Sequence, residues 1–126
     1  MIRNFEQILE KAKGRGRKKL AVPAPRSRRI FQLLEEAERA GLISPVVVGE
    51  GGEDQPIGAD VIASTVRMAR NGEADMLFQG DAALKDFIDA LTAKETGITE
   101  KDSLSYISIF ELPSEDRVVM LTDTLI

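Results

Sequence analysis

Two residue types are missing from this 126-residue chain, cysteine and histidine. Without cysteine there is no disulfide and no thiolate nucleophile. Without histidine the commonest general base and metal ligand is gone. Any chemistry must use carboxylates, Lys, Arg, Ser, Thr, Tyr or backbone amides. The chain also lacks an apolar run near the roughly 20 residues of a membrane span. Arg3, Glu6 and Glu10 interrupt the stretch where an export signal would be apolar. These absences read as a cytoplasmic protein with no membrane partner. They fit one α/β domain covering residues 1–126, long enough for one core.

Charge is plentiful but uneven. Residues 1–30 carry ten Lys or Arg against two Glu, and the remainder carries seven against nineteen Asp or Glu. The dense stretch Lys11-Ala12-Lys13-Gly14-Arg15-Gly16-Arg17-Lys18-Lys19 attracts phosphorylated partners at long range. It reads equally as a solvated helix end, with lysines near the negative pole of the helix dipole. No aromatic residue is interleaved with these charges, which argues against a nucleic-acid surface built by stacking.

Periodicity organises the rest. Asn4 with Gln7 reads as a helix start, with Phe5, Ile8, Leu9 and Ala12 on one face and Gly14 and Gly16 at its end. Lys19-Leu20-Ala21-Val22 reads as a first strand stopped by Pro23 and Pro25. Ser27 or the proline before it opens a second helix whose stripe is Ile30, Leu33, Leu34, Ala37 and Ala40, ended by Gly41. Pro45-Val46-Val47-Val48-Gly49 has no polar alternation, the pattern of a strand covered on both faces. Asp60 reads as the cap of a helix with Ile62, Val66 and Ala69 inward. Ala74 to Gln79 reads as a third strand, and a helix from Asp81 follows, with Ala83, Leu84, Phe87, Ile88 and Leu91 on its apolar face. Leu104 to Leu112 and Arg117 to Leu121 read as a hairpin around Pro113-Ser114-Glu115-Asp116. The order predicts a three-layer α/β/α sandwich with a mixed, mostly parallel sheet.

The strand ends Pro23-Ala24-Pro25-Arg26-Ser27-Arg28, Gly49-Glu50-Gly51-Gly52 and Gln79-Gly80-Asp81 are expected on one sheet edge, where open α/β folds bind ligands. Arg26 or Arg28 is placed to fork onto a phosphate, with Ser27 and its turn amides beside it. The bland alternative is surface charge and ordinary capping. Gln79 and Gly80 directly follow a buried strand, so Gln79 reads as a ligand contact or as a tie on the following turn. Asp81 reads mainly as a cap, and Asp123 follows the apolar run Val118-Val119-Met120-Leu121. Neither a GxGxxG after a strand nor a GxxxxGK[ST] loop is present. Ser103, Ser105 and Ser108 lie near or in a strand without histidine or a convincing lysine to activate them, which gives a hydrolase nucleophile little support. The acids Asp60, Asp75, Asp86, Asp89, Asp116 and Asp123 lack metal-ligand spacing, so no metal site is expected.

Pro45-Val46-Val47-Val48-Gly49, Gly72 to Gly80, Ile109-Phe110-Glu111-Leu112-Pro113 and Leu121-Thr122-Asp123 together resemble the amino-terminal half of the phosphate acetyltransferase and phosphate butyryltransferase family. The resemblance implies one domain of the isocitrate/isopropylmalate dehydrogenase-like fold. It also implies transfer of an acyl group between coenzyme A and inorganic phosphate, with no tightly bound cofactor. A homo-oligomer, or a complementary domain that completes the cleft, is the implied partner. Gln79, Ser105 and Ser103 become polar contacts on this side of the cleft. The sequence departs from the family at Gln79, where lysine or serine is usual, and at Tyr106, where histidine follows the serine matched by Ser105. The segment between Gly49 and Ala59 is short for the family, and its second half is absent. Such a domain is expected to be incomplete as a catalyst alone. The other class left open is a non-catalytic ligand-binding or interaction domain that completes its cleft with a partner.

Overall fold

The computed structural model of the chain describes residues 1–50, 55–98 and 105–124. It divides into two units, Arg17–Glu100 and the pair of segments Met1–Gly16 and Lys101–Ile126.

In the unit Arg17–Glu100 a parallel sheet is built around β1 (Lys18–Pro23), with β2 (Ile43–Val48) on one side and β3 (Met76–Leu77) on the other. Side chains alternate across β1. Leu20 and Val22 join Leu34 and Ile43 under helix α2 (Arg28–Arg39), with Ile30, Ala37 and Phe78 packed against them. Ala21, fully buried, pairs with Leu77 on the opposite face. There α3 (Ala59–Arg70) and α4 (Leu84–Leu91) form a second cluster of Ile62, Val66, Ala82 and Phe87, joined by Leu77. Helices therefore cover both faces, as the uninterrupted apolar strands require. Full burial of side chains the size of Val22 and Ile62 contributes about 1.5–3 kcal/mol each.

Several expected boundaries move, each for a local reason. β2 starts at Ile43 and tolerates Pro45 because it is an edge strand, where a missing N–H leaves no central ladder broken. The third strand shrinks to two residues. The Asp75 carboxylate accepts from the Lys19 N–H at 2.9 Å, and Gly80 turns the chain at φ +59. Gly58, not Asp60, is the N-cap of α3, and Asp60 sits in the first turn, where the helix dipole favours a carboxylate. α4 begins at Leu84, three residues beyond Asp81. Leu33 and Leu84 are exposed, because each lies at the margin of its helix's covered face. Leu33 lines an apolar groove of about 390 Å³ with Leu20, Leu34, Met76 and Phe78, and no titratable or nucleophilic side chain lines it. At the far end of α2, the Arg17 guanidinium donates to the Glu38 carbonyl at 2.8 Å and to the Ile43 carbonyl at 3.3 Å. One residue of the basic stretch thus bonds a carbonyl in the last turn of α2.

The other unit holds helix α1 (Phe5–Lys13) and the hairpin β4 (Ser105–Leu112) and β5 (Arg117–Thr124). Asn4 caps α1, accepting from the Gln7 N–H at 2.9 Å, but the Gln7 side chain accepts from the Arg3 N–H rather than that of Asn4. The hairpin turns through a short 3₁₀ segment, Pro113–Glu115, and Asp116 at φ 51. It forms its own antiparallel two-stranded sheet, so the expected mixed sheet is, among the described residues, a parallel triplet and a separate antiparallel pair. The Phe5 N–H donates to Glu111 at 3.4 Å, and Arg3 pairs with Asp116 at 3.3 Å.

Gly49 follows β2; its φ of +85 suits glycine, and an added Cβ would stand 2.9 Å from Val61 Cγ1. Gly49→Ala is expected to destabilise the fold by about 2 kcal/mol, through backbone strain and this contact together. In a Val61→Ala background the cost should shrink, because only the backbone part remains. Urea unfolding of the four proteins measures both, and equal costs in the two backgrounds would show that Val61 plays no part.

Candidate functional site

An open parallel sheet forms a ligand crevice where successive strands depart in opposite directions. Here β2 lies to one side of β1 and β3 to the other, so that point falls between the carboxyl ends of β1 and β3. β1 delivers Ala24-Pro25-Arg26-Ser27 to it, and β3 delivers Phe78-Gln79-Gly80-Asp81. Gly80 lets the second loop lie directly on the first layer. A Cβ there would stand 3.0 Å from Val22 Cγ2 and 3.7 Å from Ile30 Cγ2.

Asp81 then reaches across the crevice. Its Oδ2 accepts from the backbone N–H groups of Arg26 at 2.7 Å and Ser27 at 2.8 Å. Its Oδ1 accepts from the Ser27 hydroxyl at 2.8 Å, and Ser27 Oγ accepts from the Ile30 N–H at 3.3 Å. Helix α2 opens on Arg28 and Arg29 with no acid in its first turn. The negative charge its N-terminus favours comes from a residue fifty-odd positions away instead. Burial by itself raises the Asp81 pKa. The N–H bonds from Ser27 and Arg26, the Ser27 hydroxyl and the Arg26 charge outweigh it and hold the carboxyl below its ordinary value.

Arg26 is fixed at the mouth by two carbonyls, its Nε donating to Gln55 at 2.7 Å and its Nη1 to Ala24 at 3.1 Å. Among the described residues its Nη2 has no partner. Arg28 is exposed at the start of α2. Gln79 Nε2 donates to the Ala82 carbonyl at 2.7 Å, tying down the turn that presents Asp81. The structure thus gathers Arg26, Ser27, Gln79 and Gly80 at one crevice, with Arg28 beside it. Ser105 and Asp123 belong to the hairpin, opposite Thr124 and Tyr106 respectively. Ser103, like Gly51 and Gly52, lies outside the described residues. No group of three or more potential metal ligands occurs among the described residues, and none of their helices is long and apolar enough to cross a membrane.

Asp81 is the residue whose role differs most from expectation: it holds Ser27, the N-cap of α2, and does not cap the helix that follows it. The sequence held one signal of this, an arginine pair opening α2 without a compensating acid.

Over 98% of its length the chain is 26% identical to a phosphate butyryltransferase of Clostridium acetobutylicum and 23% identical to one of Clostridium beijerinckii. The chain is similar to the amino-terminal half of phosphate butyryltransferases. It spans about half the length of these curated relatives, 47% in each case. The matches extend over 141 residues, more than the 126 of the chain, so the phosphate butyryltransferases carry residues within the matched span that this chain lacks. No family model matches the chain.

Asp81→Ala is expected to cost about 2 kcal/mol at neutral pH, from the loss of the charge-assisted hydrogen bonds to the Arg26 and Ser27 N–H groups. Because the folded-state pKa is depressed, this stabilisation is present above the unfolded-state value of ~3.9. It is lost as the pH falls through the folded-state value. Chemical denaturation of both proteins from pH 7 downward should show the gap closing below about pH 4. A gap of constant size across that range would mean that the carboxylate charge is not what stabilises.

Proposed function

We propose that this chain supplies one side of a phosphate acyltransferase site, and that the β1/β3 crevice is where it meets the phosphate-bearing substrates. The observation that carries this reading is the match to two phosphate butyryltransferases over nearly the whole chain. It is supported by the position of the crevice at the sheet's switch point, with arginines at its mouth. The reaction implied is attack by an oxygen of inorganic phosphate on the carbonyl carbon of an acyl-coenzyme A thioester. An O–C bond forms, the C–S bond breaks, and the thiolate of coenzyme A leaves.

In this reading each residue has a limited part. Arg26 and Arg28 meet phosphate oxygens, of the attacking phosphate or of coenzyme A, by charge-assisted hydrogen bonds. Ser27 and Asp81 position the Arg26 loop. Gln79 and the Gly80 amide face the substrate from the β3 side. Transfer requires the phosphate to be aligned on the thioester and the developing oxyanion to be stabilised. One side of a cleft binds without aligning both reactants, so a complementary domain or a second subunit completes the site. The substrates bind in passing, with no resident cofactor, and the protein works in the cytoplasm, where acyl-coenzyme A is found.

The folded chain alone is expected to bind butyryl-coenzyme A, seen by titration calorimetry, while releasing no thiol in the presence of phosphate. Arg26→Ala should weaken that binding about tenfold, the loss of one charge-assisted contact. Phosphate-dependent thiol release by the chain alone would overturn the half-site proposal, and absence of binding by a folded chain would overturn the ligand assignment itself.

A further inference from the structure

The two lips of the β1/β3 crevice differ in charge. From Met76 to Leu84 the chain has neither lysine nor arginine, and its one charge there, Asp81, is negative and engaged by the N–H groups of Arg26 and Ser27. Lys85, the next basic residue, pairs with Asp89 along α4 at 3.2 Å. The anchored cation is Arg26, on the β1 side. A phosphate is therefore drawn to the β1 lip and not to the β3 lip.

Gln79 shows what the β3 lip offers instead. Its carboxamide meets the Ala82 carbonyl at 2.7 Å. A carbonyl only accepts, so the NH2 must face it, and that fixes Oε1 as the atom left over. No described residue donates to Oε1. Since no described side-chain oxygen is both buried and without a partner, Oε1 of this half-buried residue is open to solvent. The Gly80 N–H likewise has no partner among the described residues. One acceptor and one donor, both uncharged, thus stand on adjacent residues of a turn already held by the Ala82 bond. An ionised phosphate oxygen carries no proton to give Oε1, whereas an amide N–H does.

We propose that Gln79 and the Gly80 amide read an uncharged donor-and-acceptor group of the substrate, the amide of a pantetheine arm, while its phosphates go to Arg26. The crevice then has a direction, with the phosphate end of coenzyme A on the β1 lip and the thiol-bearing arm along the β3 lip. Gln79 sets specificity and takes no part in the chemistry. This assignment rests on the acyl-transfer reading above. The amino and ring-nitrogen edge of adenine offers the same pair of groups, so the two halves of coenzyme A are tested separately.

Gln79→Lys separates the two roles of the side chain: its ammonium still donates to the Ala82 carbonyl, but no acceptor remains. In amide NMR titrations of the full chain, pantetheine, which has no phosphate, should shift the Gln79 side-chain and Gly80 amide signals. Gln79→Lys should weaken its binding about tenfold, the effect of one hydrogen bond, and Arg26→Ala by less than about twofold. Inorganic phosphate should respond the other way, weakened by Arg26→Ala and not by Gln79→Lys. A loss in Gln79→Lys seen with adenosine 3′,5′-bisphosphate instead of pantetheine keeps the proposed pair and assigns it to adenine. Gln79→Met removes tie and acceptor together; if it weakens binding and Gln79→Lys does not, Gln79 only holds the turn and the proposal falls. It falls too if both halves of coenzyme A ignore position 79, or if Gln79→Lys weakens phosphate. Coenzyme A that still binds through Arg26 in those cases leaves the acyl-transfer reading standing, and a folded chain that binds no coenzyme A overturns both. Circular dichroism verifies folding, and Gln79→Arg, also a donor without an acceptor, replaces Gln79→Lys if that variant does not fold.

Discussion

The carboxylate of Asp81 is the contact on which the β1/β3 edge of this fold depends. It joins the loop after β3 to the loop after β1 at the one place where the strand order reverses, and it satisfies N–H groups at the start of a helix that opens on two arginines. Other features follow from it. Gly80 must lack a side chain for the loop to lie on Val22 and Ile30, Gln79 must bond Ala82 to hold the turn, and Arg26, in the loop that Asp81 grips, is held at the mouth by the Gln55 and Ala24 carbonyls. A crevice in an open sheet is usually spanned by a ligand. Here the chain spans part of it itself through the Asp81 carboxylate.

The basic amino-terminal region, viewed residue by residue, divides its labour. Arg17 closes the end of α2, and Arg26 is anchored by two carbonyls. Charge density in the sequence therefore overstates the surface left for nucleic acid. The chain lacks residues present within the matched span of the phosphate butyryltransferases. Among the described residues its parallel sheet has three strands, with β2 and β3 as edges. A small sheet concentrates the core in β1, whose Ala21 and Val22 are fully buried, and makes β1 the strand least able to accept substitution.

Much of this was legible in the sequence, because it rests on local chemistry. Asn4 and Ser27 as caps, Gly41 as a helix stop, the apolar strands either side of α2 and the turn at Pro113 to Asp116 are each set by a few neighbouring residues. The inward positions Leu34, Ile62, Val66 and Phe87 followed from helical spacing. The gathering of Arg26, Ser27, Gln79 and Gly80 at one edge followed from parallel topology. What escaped is long-range. Asp81 was placed as a local cap because capping rules look only a few residues ahead, whereas its partner lies in the preceding βα loop. The two-residue length of β3 reflects competition from the Asp75 side chain, and the separation of the hairpin into its own sheet is a pairing choice that periodicity does not encode.

The central claim is that the β1/β3 crevice is where this chain meets a phosphate-bearing substrate. Amide NMR of the full chain, titrated with coenzyme A and separately with inorganic phosphate, tests it at residue level. The account predicts shifts concentrated at Arg26, Ser27, Arg28, Gln79, Gly80 and Asp81, larger for coenzyme A and diminished in Arg26→Ala. Shifts that leave those six amides unmoved while other residues respond would contradict it.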